Sequence, residues 1–145
     1  MTRPRMFTIE EVNALIPELS RLVEQQMERH AEIADTMSEL ANMTGENPPT
    51  LVEQPREGPS ISVLKAQLRA MIQRYAEVWN HVQELGGVVK DPQVGTVDFY
   101  GNLDGKNVWL CWQYGDESVG YYHELDGSYV GRRPLCSEVL ERTLN

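Results

Sequence analysis

Asp98, Cys111, His123 and Arg132 are the residues of this 145-residue chain whose types could do chemistry together. All four fall in one aromatic-rich stretch, KDPQVGTVDFYGNLDGKNVWLCWQYGDESVGYYHELDGSYVGRRPL, from Lys90 to Leu135. Asp98, Cys111 and His123, with Glu124 beside them, are metal-capable types. A zinc or iron ion needs three or four such groups converging within about 2.0–2.3 Å. Cysteine, histidine and aspartate can also form a nucleophilic set, which requires an exposed thiolate beside the imidazole. An arginine at the end of the stretch can clamp a carboxylate or phosphate through two parallel hydrogen bonds.

Each reading has a plain structural counterpart. Cys111 stands between Leu110 and Trp112, where a thiol serves as a small buried hydrophobe. His123 can be hydrogen-bonded into a sheet, and Arg132 can pair with Asp91, Asp98 or Glu117 inside the fold. No two candidates stand at the C-x-x-C or H-E-x-x-H spacing of a recognised metal motif. The glycines form no phosphate-cradling cluster, and Asp116-Glu117 and Asp126 read as solvated turn residues. On helix-forming sequence, Glu77, His81 and His30 lack the Glu-x-x-His pattern of two-helix metal sites and read as a solvated face.

Hairpin arithmetic decides which candidates share a face. Asp104-Gly105 is a two-residue type I′ turn signal. It places Leu103 opposite Lys106, Tyr100 opposite Trp109 and Asp98 opposite Cys111. Opposed residues project from one face, so Asp98, Tyr100, Trp109 and Cys111 lie together. Val97, Phe99, Leu110 and Trp112 lie on the other side. His123 depends on the loop from Tyr114 to Ser118. An odd number of loop residues puts it with Asp98 and Cys111; an even number puts it with Leu110 and Trp112. Gly115 favours a three-residue bulged loop, hence the odd count.

The elements that position this stretch are helical. Thr8 and Glu11 stand at the spacing of a capping box, flanked by Phe7 and Val12 where a hydrophobic staple belongs. Apolar residues from Val12 to Ala41 then recur at three- and four-residue steps, which predicts a long first helix over residues 8–44, kinked near Pro17. The Pro- and Gly-rich segment 45–59 ends it and is expected to be the most mobile connection. A second helix over 60–86 carries Ile61, Leu64, Leu68, Met71, Tyr75, Val78, Val82 and Leu85 at alternating steps of about 3 and 4, a coiled-coil seam. Gly86-Gly87 stop it. Ile72 and Trp79 widen its apolar face and must cover the sheet or meet another subunit.

The expected fold is α+β. A long antiparallel helical hairpin packs on a small antiparallel β-meander of about four strands over residues 88–134. The last strand is expected at Ser128 to Gly131. Residues 135–145 form a tail or short helix capped by Ser137, and the whole chain, 1–145, reads as a single domain.

Thirteen Lys and Arg against 22 Asp and Glu give a net charge of −9. That argues against nucleic acid, whose phosphates must be neutralised by clustered cations. No apolar run is long enough for a membrane span. With no export signal and only Cys111 and Cys136, reduced thiols and a cytoplasmic location are expected.

Together, FTIEEVNALIPEL, ELGGVVKDPQVGTVDF and VWLCWQYGDESVGYYHELDGSYVGRRPL resemble the DUF2203 family of small bacterial proteins. The most specific element is Leu110-Cys111-Trp112 at its spacing from Val97-Asp98-Phe99. Asp116-Glu117 and Tyr122 depart from the family pattern while keeping the chemical type. The resemblance supports the fold and implies no activity.

These features support two functional readings. In the first, favoured on the heptad seam and the lack of a catalytic motif, the chain is a non-enzymatic assembly protein that forms a homo-oligomer, expected as a dimer, through its helices. In the second it is a small-ligand or metal-binding domain, an enzyme included. Asp98, Cys111 and His123 would then hold a metal ion, or Asp98, Trp109, His123 and Arg132 a ligand.

Overall fold

A computed structural model of the chain describes residues 5–127 and 129–135. The fold is α+β: two helices, α1 (Ile9–Thr44) and α2 (Pro59–Glu84), followed by an antiparallel sheet. Its strands are β1 (Val88–Asp91), β2 (Thr96–Leu103), β3 (Lys106–Gln113), β4 (Tyr121–Glu124) and β5 (Arg133–Pro134), neighbouring one another in chain order. The meander thus has five strands rather than about four. The segment expected as its last strand forms a single 3₁₀ turn at Tyr129–Gly131, and pairing resumes at Arg133–Pro134. Pro134 is tolerated there because an edge strand needs no donor on its outer side. The helix expected after Ser137 lies outside the described residues.

The chain divides into two compact units, residues 25–80 and residues 1–24 with 81–145. In the first, α1 and α2 run antiparallel, with Gln26 Nε2 donating to the Tyr75 carbonyl at 2.7 Å. Leu40, Leu68 and Val78 are buried, whereas Met71, Tyr75 and Trp79 are only half-buried and Ile72 is 37% exposed. Gly45, at φ 76°, ends α1 and donates to the Ala41 carbonyl. The Pro-rich connection beyond it is tethered to α2. Lys65, 1% exposed, is ion-paired with Glu57 and donates to the Val52 carbonyl at 2.8 Å. Arg69 donates to the Leu51 carbonyl at 2.6 Å.

The second unit holds the sheet. The capping box is formed in both directions: Glu11 N–H donates to Thr8 Oγ1 at 3.1 Å, and Thr8 N–H donates to Glu11 Oε1 at 3.0 Å. Phe7 donates its N–H to the Tyr100 carbonyl and sets its ring edge-on to Phe99, 5.1 Å away. Those contacts fasten the start of α1 across β2. Val12, Ile16, Leu19 and Val23 of α1 are buried, as are Val97, Phe99, Leu110 and Trp112 of the sheet. These residues form the apolar side of the unit, and Asn13 Oδ1 accepts the Val119 N–H at 2.8 Å. Gly95 has φ 74°, and a Cβ there would meet Val23 Cγ1 at 2.7 Å and Tyr114 Cβ at 2.8 Å, so only glycine fits. Gly86 (φ 108°) and Gly87 end α2, donating to the Gln83 and Val82 carbonyls.

The central hairpin is the one that Asp104-Gly105 dictates. Both residues have positive φ, 55° and 82°, as a type I′ turn requires. Leu103 pairs with Lys106, Tyr100 with Trp109 and Asp98 with Cys111.

Candidate functional site

The site face of the sheet is the one opposite Val97, Phe99, Leu110 and Trp112. Asp98 and Cys111 are register partners in β2 and β3; Trp109 is opposed by His123, and Cys111 by Tyr121, in β4. His123 therefore shares the face of Asp98 and Cys111. Seven residues separate Gln113 from Tyr121, an odd number but a longer loop than the expected three. Asp116 folds back into it. Its Oδ2 accepts the Gln113 N–H, and its carbonyl accepts the Trp112 indole N–H, both at 3.0 Å. Asp116 is thus a structural clasp rather than a solvated turn residue.

Asp98 and His123 come from strands that are not neighbours, yet their side chains meet above β3. His123 Nε2 lies 2.7 Å from Asp98 Oδ2, and His123 Nδ1 lies 2.9 Å from the Glu124 carbonyl. Both are buried, Asp98 at 1% exposure and His123 at 4%. A carbonyl only accepts, so Nδ1 carries a hydrogen. The contact between Nε2 and the carboxyl group needs one more proton. The pair is therefore imidazolium with carboxylate or imidazole with carboxylic acid, and it is neutral overall in either form. Asp98 Oδ1 is buried and has no hydrogen-bond partner among the described residues.

Cys111 is 1% exposed beside this pair. Burial, and then the negative charge of Asp98, push its thiol up to about 12, partly offset by the Arg132 guanidinium. A thiol that holds its proton so firmly is a poor nucleophile at neutral pH. Both His123 ring nitrogens are also committed elsewhere, to Asp98 and Glu124. The Cys–His–Asp set is thus together in space but not wired for nucleophilic attack. Glu124, the fourth metal-capable residue, is opposed to Val108 on the other face. Its carboxylate pairs with Lys106 at 2.6 Å, and that hydrogen bond holds it below its ordinary range. Among the described residues no group of three His, Cys, Asp or Glu side chains is disposed to hold a metal ion.

A cavity of about 560 Å³ opens on this face. Asp98, Cys111 and His123 line it together with Lys90, Asp91, Val94, Thr96, Gln113 and Gly127. Lys90 Nζ lies 4.7 Å from the centre of the Trp109 ring, which Tyr100 meets edge-on at 5.7 Å. Arg132 lays its guanidinium over Tyr121, 3.9 Å from the ring centre. Of the expected site residues, Asp98, Cys111 and His123 line this cavity; Trp109 lies under Lys90 and Arg132 over Tyr121, and neither belongs to the lining. Thr96 and Gln113 were legible as well, since each lies two residues from Asp98 or Cys111 along its strand and so points the same way. Lys90 and Val94 carried no such signal, because a register irregularity between Val89 and Asp91 breaks the alternation.

Among the described residues no helix is long and apolar enough to cross a membrane. Neither a curated protein nor a solved structure matches the chain. The model of one family, described as an uncharacterized conserved protein (DUF2203), matches residues 5–135, nearly the whole sequence, and the chain belongs to that family.

Proposed function

We propose that this protein binds a small polar molecule in the cavity on the sheet face, with Asp98 as the group that recognises it and His123 as the residue that positions Asp98. One observation carries the reading: a carboxyl group buried to 1% exposure lines a cavity, and its Oδ1 has no hydrogen-bond partner among the described residues. Buried polar atoms are almost always satisfied, and an exception calls for a partner such as a bound ligand. The cavity volume falls in the range of small-molecule sites. The test is a fragment screen by protein-observed NMR. Binding fragments should shift the Trp109 indole and His123 ring signals in the wild type and lose that effect in Asp98→Leu. A screen at millimolar concentration that moves neither signal refutes the reading.

Assembly through the helices is a second reading, and a specific surface favours it. Ile72 is 37% exposed on α2, beside the half-buried Met71, Tyr75 and Trp79. The Trp79 indole N–H is buried without a partner among the described residues. Light scattering across micromolar concentrations tests it: a dimer that Ile72→Glu dissociates supports assembly, and a monomer throughout removes it.

A further inference from the structure

Resting on the cavity reading for its place, we infer that the ligand is a small zwitterion of amino-acid type. Its carboxylate faces Lys90, its ammonium faces Asp91, and its uncharged side chain lies over the cavity floor. Lys90 and Asp91 both line the cavity, although consecutive strand residues normally point to opposite faces. β1 breaks that rule at this point. Val89 pairs with Val97 and Asp91 with Thr96, so Lys90 is an extra residue with no register partner in β2. A bulge of this kind re-aims side chains, and here it turns two successive ones toward the face of Thr96 and Asp98. The irregularity sets a cation and an anion side by side on one concavity.

The two charges do not meet each other. Among the described residues neither Lys90 nor Asp91 forms an ion pair, with its neighbour or with a third group. Each is steadied by something else. Lys90 Nζ lies 4.7 Å from the centre of the Trp109 ring. Asp91 Oδ1 accepts the Gln93 N–H at 3.0 Å and lies 3.4 Å from the Val94 N–H, which leaves Oδ2 for a ligand. A bare anion suits Lys90 and is repelled by Asp91; a bare cation meets the reverse. A ligand that carries both charges complements both. Below them the floor holds no net charge. The Asp98–His123 pair is neutral overall in either proton arrangement, and Thr96 and Cys111, 3% and 1% exposed, are uncharged beside it. That floor suits a side chain without charge of its own.

Three probes of one carbon skeleton separate the two charges. L-Valine carries both, 3-methylbutanoate lacks the ammonium, and isobutylamine lacks the carboxylate. Titrations followed at the Trp109 and His123 NMR signals should rank valine first and each of the others about fivefold weaker, the worth of one ion pair in a partly open site. Two variants then exchange the discrimination. Lys90→Gln should bring valine level with isobutylamine while leaving the preference over 3-methylbutanoate. Asp91→Asn keeps an oxygen for the Gln93 N–H, and should bring valine level with 3-methylbutanoate while leaving the preference over isobutylamine. Equal affinity of the wild type for all three probes overturns the zwitterion class, as does a variant that weakens all three alike. So does failure of all three when other fragments move the same signals, and in that case the cavity reading stands. If no fragment moves them, the cavity reading falls as well.

Discussion

The Asp98–His123 contact makes a thermodynamic prediction that does not depend on any ligand. His123→Leu removes the 2.7 Å hydrogen bond to the Asp98 carboxyl, which is 1% exposed and has one oxygen without a partner among the described residues. In the imidazolium–carboxylate form, removing the cation leaves the carboxylate uncompensated, a cost of about 3–5 kcal/mol. Asp98→Leu leaves a different remnant, an imidazole nitrogen without a partner. That ring can stay neutral, so the cost is about 1–3 kcal/mol. In the double variant both polar groups are replaced by apolar ones of similar bulk, and the result should lie within about 1–2 kcal/mol of the wild type. The two changes should therefore couple by at least about 2 kcal/mol. Urea denaturation of the four proteins measures this by linear extrapolation, with equal slopes required for the comparison. Additive losses, or a His123→Leu cost below about 1 kcal/mol, would refute the buried pair as described.

Separate parts of the molecule give three further expected outcomes. Cys111, studied in a Cys136→Ser background, should resist iodoacetamide at pH 8 in the native protein and react on unfolding. Its folded value, about 12, lies above the unfolded value near 9.0. Its contribution to stability is therefore complete below pH 9 and is lost as pH rises toward 12; Cys111→Val should flatten that alkaline decline in a urea series. Gly95→Ala should cost about 2–4 kcal/mol in the same denaturation assay, from the positive φ and the close approach of Val23 and Tyr114. Lys65→Met leaves Glu57 buried without its cation, and hydrogen exchange should speed up across residues 45–58 while the sheet amides keep their protection.

How far the sequence carried depends on which interactions are local. The β2–β3 register was readable because a two-residue Asp-Gly loop admits one backbone geometry, and a period of 2 then fixes every pair. The capping box was readable for the same reason, its partners being three residues apart. His123 was harder. Its face depended on the odd count of the β3–β4 loop, but the loop is longer than Gly115 alone suggested, since Asp116 turns back to hold Gln113 and Trp112. The reversal at Asp126-Gly127 was marked, yet the chain then makes a 3₁₀ turn before pairing resumes at Arg133, a choice that the turn residues do not encode. Lys90 was out of reach, because its approach to Trp109 crosses an intervening strand. Contacts that skip a strand depend on how the sheet curls, and hydrophobic alternation does not record that.

The order of groups on the site face also bears on what kind of site this is. In a nucleophilic triad the imidazole uses one nitrogen for a carboxylate and the other for the attacking group. Here the second nitrogen is held by the Glu124 carbonyl, and the Cys111 thiol beside the pair is pushed up to about 12. The chain of contacts runs from the backbone carbonyl through His123 to Asp98 and stops at Oδ1. The imidazole fixes the carboxyl rotamer, while Oδ1 stays a buried acceptor without a partner among the described residues. On the proposed reading, Asp98 is the residue whose replacement should abolish binding. His123 should act on affinity only through the position of that carboxyl.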